Sequence, residues 1–425
     1  SDASAYQWSF YSAKMRSAAA RSNIAFGGYI VPRTAGDRED GVSQKVLSLI
    51  GNGGKGLKYF VFGPEYNFPG NCYSERQPSL LPKLAQALRL VGAGEDLLWP
   101  GKKPAAEVAL LLPRSAQLWD AKDVAVPKMI SDATNGNMNR ATVDYMAEVF
   151  NLYLALQHAN IPVDFVEEDD LTPERLKPFK VLYVTEPNLP AENQRGLGAW
   201  LNNGGTLVTV SGTAQRDRYD EPCDELAKST SLKEDPRERM LLAATNALAL
   251  QEAGTGTFGA FRPAGPKAKI SATEKETLAT LADGSPAFIE RTIGKGKFYH
   301  FAFMPGLSYW RSSTETKDRL PVGFSESLRK MIVQPTLSAQ VKAPVTTKVA
   351  MLETPILLSE KGAAITVLNW TGTPLDALSI AATLPFKVKA VESVRKGKMD
   401  FVEKDGTISF VLPIGAVDVV KVYAK

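Results

Sequence analysis

The sequence predicts an α/β protein that passes into an all-β C-terminal part. Three observations carry this. Between Val108 and Val210, short apolar runs alternate with helical segments. The stretch Val181–Gln215 reads strand, helix, strand. From about Val345 onward, strand patterns are separated by Gly, Asp and Pro turns. Their spacing, about eight to twelve residues, is that of a small sandwich.

Val181–Val184 and Leu207–Val210 are apolar and rich in β-branched residues, as parallel strands buried on both faces should be. Leu197, Trp200 and Leu201 recur at helical spacing between them, and Gly204-Gly205 supplies a stop without a Cβ penalty. Two parallel strands joined by a helix form a right-handed crossover. Upstream come a strand at Val108–Leu112, an amphipathic helix at Tyr145–Ala159, a strand at Val163–Val166 and a short helix opened by Thr172-Pro173. This order predicts a flavodoxin-like open sheet. The polar stretch Asp120–Arg140 reads as a long loop, and Pro236–Leu250 as a helix.

Ahead of this lies a second α/β segment. It has a helix at Ala5–Arg21 with a Trp8, Tyr11, Met15, Ala18/Ala19 stripe, and strands at Ile24–Val31 and Leu57–Phe62. Helices at Val42–Ile50 and Leu80–Val91 complete it. Two strands cannot bury a core alone, so this segment reads as the end of something larger. An exposed apolar surface is expected around Phe26, Tyr59, Val61 and Phe62. Further on, Lys297–Phe303 reads as a hairpin strand after a Gly-Lys-Gly turn, and Phe324–Ile332 as a helix.

Composition narrows the function classes. A net charge of +4 on 425 residues does not point to nucleic acid. No run approaches the ~18 apolar residues of a membrane span. Two cysteines, Cys72 and Cys223, make neither a disulfide framework nor a cysteine-rich metal site. The Asp-rich segments lack calcium-loop spacing, so no metal and no cofactor are expected. The chain begins at Ser1 without a visible signal peptide, so a processed or partial chain is expected.

In open α/β sheets the chemistry lies beyond the carboxyl ends of the strands. That places Ser211-Gly212-Thr213-Ala214-Gln215 at the working edge. The pentapeptide resembles the nucleophile elbow of class I glutamine amidotransferases, with Ser211 where that family has cysteine. A serine hydroxyl needs a strong neighbouring base. The chain has only His158 and His300, the first on a predicted helix before the elbow and the second inside a strand. The reading favoured here is an elbow turn without its triad.

Several stretches together resemble family-42 β-galactosidases. They are L-K-Y-F-V-F-G-P-E-Y, P-A-A-E-V-A-L-L-L-P, Y-M-A-E-V-F-N-L-Y-L-A-L-Q-H-A-N-I-P-V-D-F-V, L-N-N-G-G-T-L-V-T-V-S-G and A-A-I-T-V-L-N-W-T-G. The resemblance is one of order and pattern and covers nearly the whole chain. It implies the end of a (β/α)8 barrel over residues 1–100. An amidotransferase-like domain that builds a trimer would follow over 101–340, and a small β-sandwich over 341–425. It also implies a carbohydrate substrate. The sequence departs from the family in lacking the earlier barrel strands, including the one that carries the acid/base glutamate. Ile24–Val31 runs into Pro32-Arg33-Thr34, where a nucleophilic glutamate would end the strand.

The candidate site residues lie at the carboxyl ends of the two barrel strands, where barrel enzymes hold their sites. Glu65 follows the second strand, with Tyr66, Asn67, Phe68 and Tyr73 around it. Aromatic faces stack on sugar rings, and Asn and Glu hydrogen-bond hydroxyls. The competing reading is a loop with packed aromatics and a solvated Glu65. Tyr29 and Arg33 end the other strand; Arg33 suits a sugar carboxylate or an ion pair with Asp37 or Glu39. A non-catalytic assembly module remains the rival function class. A hydrolase using Ser211 is the third.

Overall fold

A computed structural model describes residues 6–32, 38–59, 80–120, 143–236 and 250–425. The first segment contains α1 (Gln7–Arg21), β1 (Gly27–Ile30), α2 (Gly41–Gly51), β2 (Gly56–Tyr59) and α3 (Leu80–Leu98). β1 and β2 form a two-stranded parallel sheet. β1 is shorter than the sequence predicts. Ile24 stands exposed ahead of β1, and residues 60–62 lie outside the described residues. The expected α1 stripe is corrected: Tyr11 and Met15 are exposed, and Phe10 and Ala13 are buried instead. Phe10 packs edge-on against Phe150, Tyr153 and Phe165. The Ser/Ala-rich composition of this helix hides which face is apolar.

Next come β3 (Val108–Leu111), α4 (Arg114–Asp120), α5 (Val143–Gln157), β4 (Val163–Val166), α6 (Pro173–Leu176), β5 (Val181–Val184), α7 (Ala191–Asn202) and β6 (Thr206–Val210). The four strands pair in parallel in the order β4-β3-β5-β6. Their side chains alternate between two cores. Val108 and Leu110 join Val149 and Tyr153 of α5; Ala109 and Leu111 join Leu197 and Leu201 of α7. Helices therefore cover both faces, which is why these strands read as continuous apolar runs. Gly204 has φ +117°, and a Cβ on Gly205 would run into the Trp200 ring. Both glycines of the helix stop are sterically required.

After α8 (Glu225–Thr230), the sheet continues through β7 (Thr255–Gly256), β8 (Thr277–Thr280), β9 (Pro286–Ile293) and β10 (Gly296–Phe301). β10 lies parallel to β6 and antiparallel to β9, completing an eight-stranded mixed sheet. The helix expected at Pro236–Leu250 falls almost wholly outside the described residues. So does the Asp120–Arg140 loop, apart from Asp120, which ends α4. α9 (Pro305–Arg311), the short antiparallel pair β11 (Thr314–Glu315) and β12 (Pro321–Val322), and α10 (Glu326–Ser338) follow. Buried Glu148 accepts hydrogen bonds from Gly306 N and Leu307 N, both 2.7 Å, satisfying amides that the start of α9 leaves without helical partners.

Ten strands, β13 (Val345–Thr347) to β22 (Val417–Ala424), make up the C-terminal part. One sheet runs β13, β17 (Leu375–Thr383), β21 (Thr407–Ile414), β20 (Phe401–Lys404); the other runs β14 (Leu352–Glu353), β16 (Gly362–Asn369), β22, β18 (Val388–Ser393), β19 (Gly397–Met399), with β15 (Ile356–Ser359) on β16. Leu352, Ile365, Leu378, Phe410 and Val420 fill the space between them. The second sheet also packs its other face, through Ala364, Leu368 and Val419, into the core that holds Leu47 of α2 and Leu97 of α3. The all-β part thus grips the N-terminal helices. Gln44 Nε2 donates to Asn369 O at 3.1 Å, and Arg395 to Asp40 at 2.8 Å.

Polar groups are also buried where the parts meet. Arg16 pairs with Asp164 and donates to Asn52 Oδ1 at 2.7 Å, and Lys103 Nζ donates to the same oxygen at 2.9 Å. Trp370 is fully buried, 5.1 Å from the Tyr6 ring, and its Nε1 donates to Glu353 Oε1 at 3.1 Å.

Candidate functional site

The register of β1 and β2 decides which side chains reach the open face of the pair. Ile30 is buried, and a Cβ on Gly28 would touch Leu49 of α2 at 3.1 Å; that face is covered. The opposite face carries Tyr29, 71% exposed. Lys58 is Tyr29's register partner; it is exposed, with its ammonium 5.6 Å from the Tyr29 ring centroid. Among the described residues this face presents a tyrosine with a cation beside it. Phe26 and Tyr59 are partly buried against the core; Val61 and Phe62 lie outside the described residues. Lys58 is absent from the sequence-derived site, because in L-K-Y-F-V-F it reads as one polar interruption. Its alternation with Leu57 and Tyr59 was the available signal.

Of the other predicted site residues, Arg33, Glu65, Tyr66, Asn67, Phe68 and Tyr73 lie outside the described residues. Among nearby carboxylates, Glu39 is exposed. Asp40 is occupied by Gln86 Nε2 at 3.0 Å and Arg395 at 2.8 Å, so it ties elements together.

At the carboxyl edge of the large sheet, Ser211 follows β6 and is fully buried. The turn is tight: Gly212 and Ala214 take φ +80° and +54°. Gly212 N donates to Glu234 Oε1 at 2.8 Å. His300 stands beside Thr209 in the register of β10 with β6. Its Nδ1 bonds Thr209 Oγ1 at 2.8 Å, and its Nε2 lies 3.7 Å from Glu234 Oε1. No hydrogen bond joins it to Ser211. Burial, assisted by the Arg291 charge, pushes His300 down to about 3, so it stays neutral. His158 is bonded to Tyr309 Oη at 2.8 Å and is likewise held near 3 by burial. A base oriented on the Ser211 hydroxyl is thus missing among the histidines. Ser211→Ala is expected to leave any glutaminase or esterase rate unchanged within about twofold; a drop of ~100-fold or more in kcat would make Ser211 a nucleophile.

Two further carboxyl groups lie beyond β4 and β5. Glu168 accepts from Ser115 N at 2.6 Å and Ser115 Oγ at 2.7 Å. Glu186 is buried beside it. Burial first, and then the Glu168 charge, push the Glu186 carboxyl well above the usual range. Burial and the neighbouring charge both favour its neutral form, as expected of one member of a carboxyl pair. Both are almost wholly excluded from solvent, so the pair closes this sheet edge. No group of three or more potential metal ligands occurs among the described residues, and no helix there is long and apolar enough to cross a membrane.

No family model matches the sequence, and no curated protein matches it. Solved structures do. Gan42B, a GH42 β-galactosidase from G. stearothermophilus, aligns over 98% of this chain and 56% of its own, with TM-score 0.67 and 13% identity. The β-galactosidase from Bacillus circulans sp. alkalophilus gives TM-score 0.64 and 14% identity over 97% of this chain and 58% of its own. An α-L-fucosidase from Paenibacillus thiaminolyticus gives TM-score 0.62 and 15% identity over 95% and 61%. The chain has a fold shared with glycoside hydrolases, and it spans a little over half the length of these proteins.

Proposed function

We propose that this chain is the assembly-and-scaffold portion of a β-galactosidase-like glycoside hydrolase, with the amidotransferase-like part serving trimer formation. One observation carries the reading: the order of parallel pair, mixed sheet and all-β part aligns with GH42 β-galactosidases over 98% of the chain. The lack of a histidine oriented on Ser211 agrees with it, because a serine hydroxyl needs a strong neighbouring base to act as a nucleophile. Residues 1–100 would be the end of a barrel. In this reading Tyr29 and Lys58 face its interior, and Arg33, Glu65, Tyr66, Asn67, Phe68 and Tyr73 contact the sugar from the loops. Retaining glycosidases need two carboxyl groups about 5–5.5 Å apart. Glu65 is the candidate within this chain, and the partner carboxylate would come from polypeptide beyond these residues.

The test is hydrolysis of an aryl β-galactoside by residues 1–425, alone and co-expressed with the polypeptide encoded immediately upstream, with light scattering on both. Little or no turnover alone, turnover with the upstream segment, and a trimeric mass are expected. Full turnover by residues 1–425 would show that the carboxylates are already here. A monomer at micromolar concentration would refute the assembly role.

A further inference from the structure

We propose that the groove around Trp99 is a carbohydrate-binding site, separate from the barrel face that holds Tyr29. The choice of ligand rests on the carbohydrate reading above; the site itself rests on four observations.

The first is exposure. The chain has six tryptophans, and Trp99, at 63%, is the one among them that stands largely in solvent. The second is rigidity. Trp99 N donates to Glu95 O at 2.9 Å, and Gly101 N to Leu97 O at 3.1 Å. Leu97 and Leu98, just before it, are buried. A Cβ on Gly101 would meet Leu97 O at 2.6 Å and Leu357 Cβ at 2.7 Å, so the chain leaves the helix by one path. The indole is held out by a fixed backbone, not by a loop tip.

The third is the rim. Glu95, Asp96, Lys361 and Lys421 line the same groove of about 640 Å3. Tyr423 Oη donates to Asp96 Oδ2 at 2.8 Å, which fixes that carboxylate at the rim. The Lys421 ammonium lies 5.5 Å from the Tyr423 ring centroid and 3.7 Å from Glu392 Oε2, which holds it at the rim. Lys361 is placed by its carbonyl, which accepts from Ala424 N at 3.1 Å.

The fourth is the mixture itself. An apolar protein partner or a lipid would take these charges out of water without offering them hydrogen-bond partners, which is unfavourable. A pyranose fits both halves. Its C–H face covers an aromatic ring, and its hydroxyls donate to carboxylates and accept from ammonium groups. Such a site would hold a polymeric substrate on the enzyme without touching the reacting bond.

The test is a fluorescence titration of the full chain with β-1,4-galactotetraose. A saturable blue shift is expected in the wild type, with iodide quenching of Trp99 suppressed. Trp99→Ala should weaken binding by about tenfold or more with an unchanged circular dichroism melt, and Trp99→Phe should restore part of it. A wild-type chain that shows no saturable change, or a Trp99→Ala variant that binds as tightly, overturns the proposal. The hydrolysis assay above reads the other hypothesis separately, since a chain that binds at Trp99 and never gains turnover leaves this site standing.

Discussion

Glu353→Gln is expected to stabilise the protein above neutral pH and to change little in mild acid. Glu353 is buried, and burial pushes its carboxyl up to about 7. Hydrogen bonds from Ser9 and Trp370 and the Lys103 charge oppose that push. The folded value thus lies above the unfolded one, about 4.5. The sign follows: the contribution is fully present below about 4.5 and is lost as pH rises through about 7. A shift of this size corresponds to roughly 3 kcal/mol. Glutamine keeps the shape and the acceptor for Trp370 Nε1 without ionising. Urea melts should show the two proteins within about 1 kcal/mol near pH 5, and the variant ahead by roughly 3 kcal/mol near pH 8. Parallel stability curves across that window would mean that Glu353 reaches solvent in the folded state.

Trp370→Ala should be the more damaging change, costing about 3–5 kcal/mol. The ring is fully buried against Tyr6 in the core that also holds Leu47 and Val419, so its loss leaves a cavity. It also strips Glu353 of its indole donor, and an unpaired buried acceptor adds about 1–3 kcal/mol. Trp370→Phe separates the two effects, since it keeps most of the volume and loses only the N–H. The expected order in denaturant midpoint is wild type, then Phe, then Ala. A midpoint for Trp370→Ala within ~1 kcal/mol of wild type would show that this corner repacks freely.

The parallel sheet is legible in the sequence for a simple physical reason. Its strands are covered on both faces, so Val108–Leu111, Val181–Val184 and Thr206–Val210 show no polar alternation. The Gly204-Gly205 stop is legible because its glycines answer local steric demands. The face of α1 is not, since Phe10 is buried by Phe150, Tyr153 and Phe165, and Ser9 bonds Tyr153, all more than 100 residues away. The junction is less legible still. Arg16 and Asp164, or Trp370 and Glu353, show nothing in local pattern that announces their pairing. Among the candidate residues, Tyr29 lies exposed in β1, and Lys58 becomes visible only through the register of β1 with β2.

The grip of the all-β part on α2 and α3 bears on how the protein is made. Gln44 and its partner Asn369 are 325 residues apart. At about 5–20 residues per second, a ribosome needs roughly 15–65 s to separate their syntheses. For that interval the α2 face carrying Leu47 waits without the sheet that later covers it. Contacts of such separation also slow folding, because loop closure precedes any gain from them. The nascent chain is therefore a natural client for a holdase chaperone until β16 and β22 emerge, and truncation before Val417 should yield aggregate rather than a shorter folded protein.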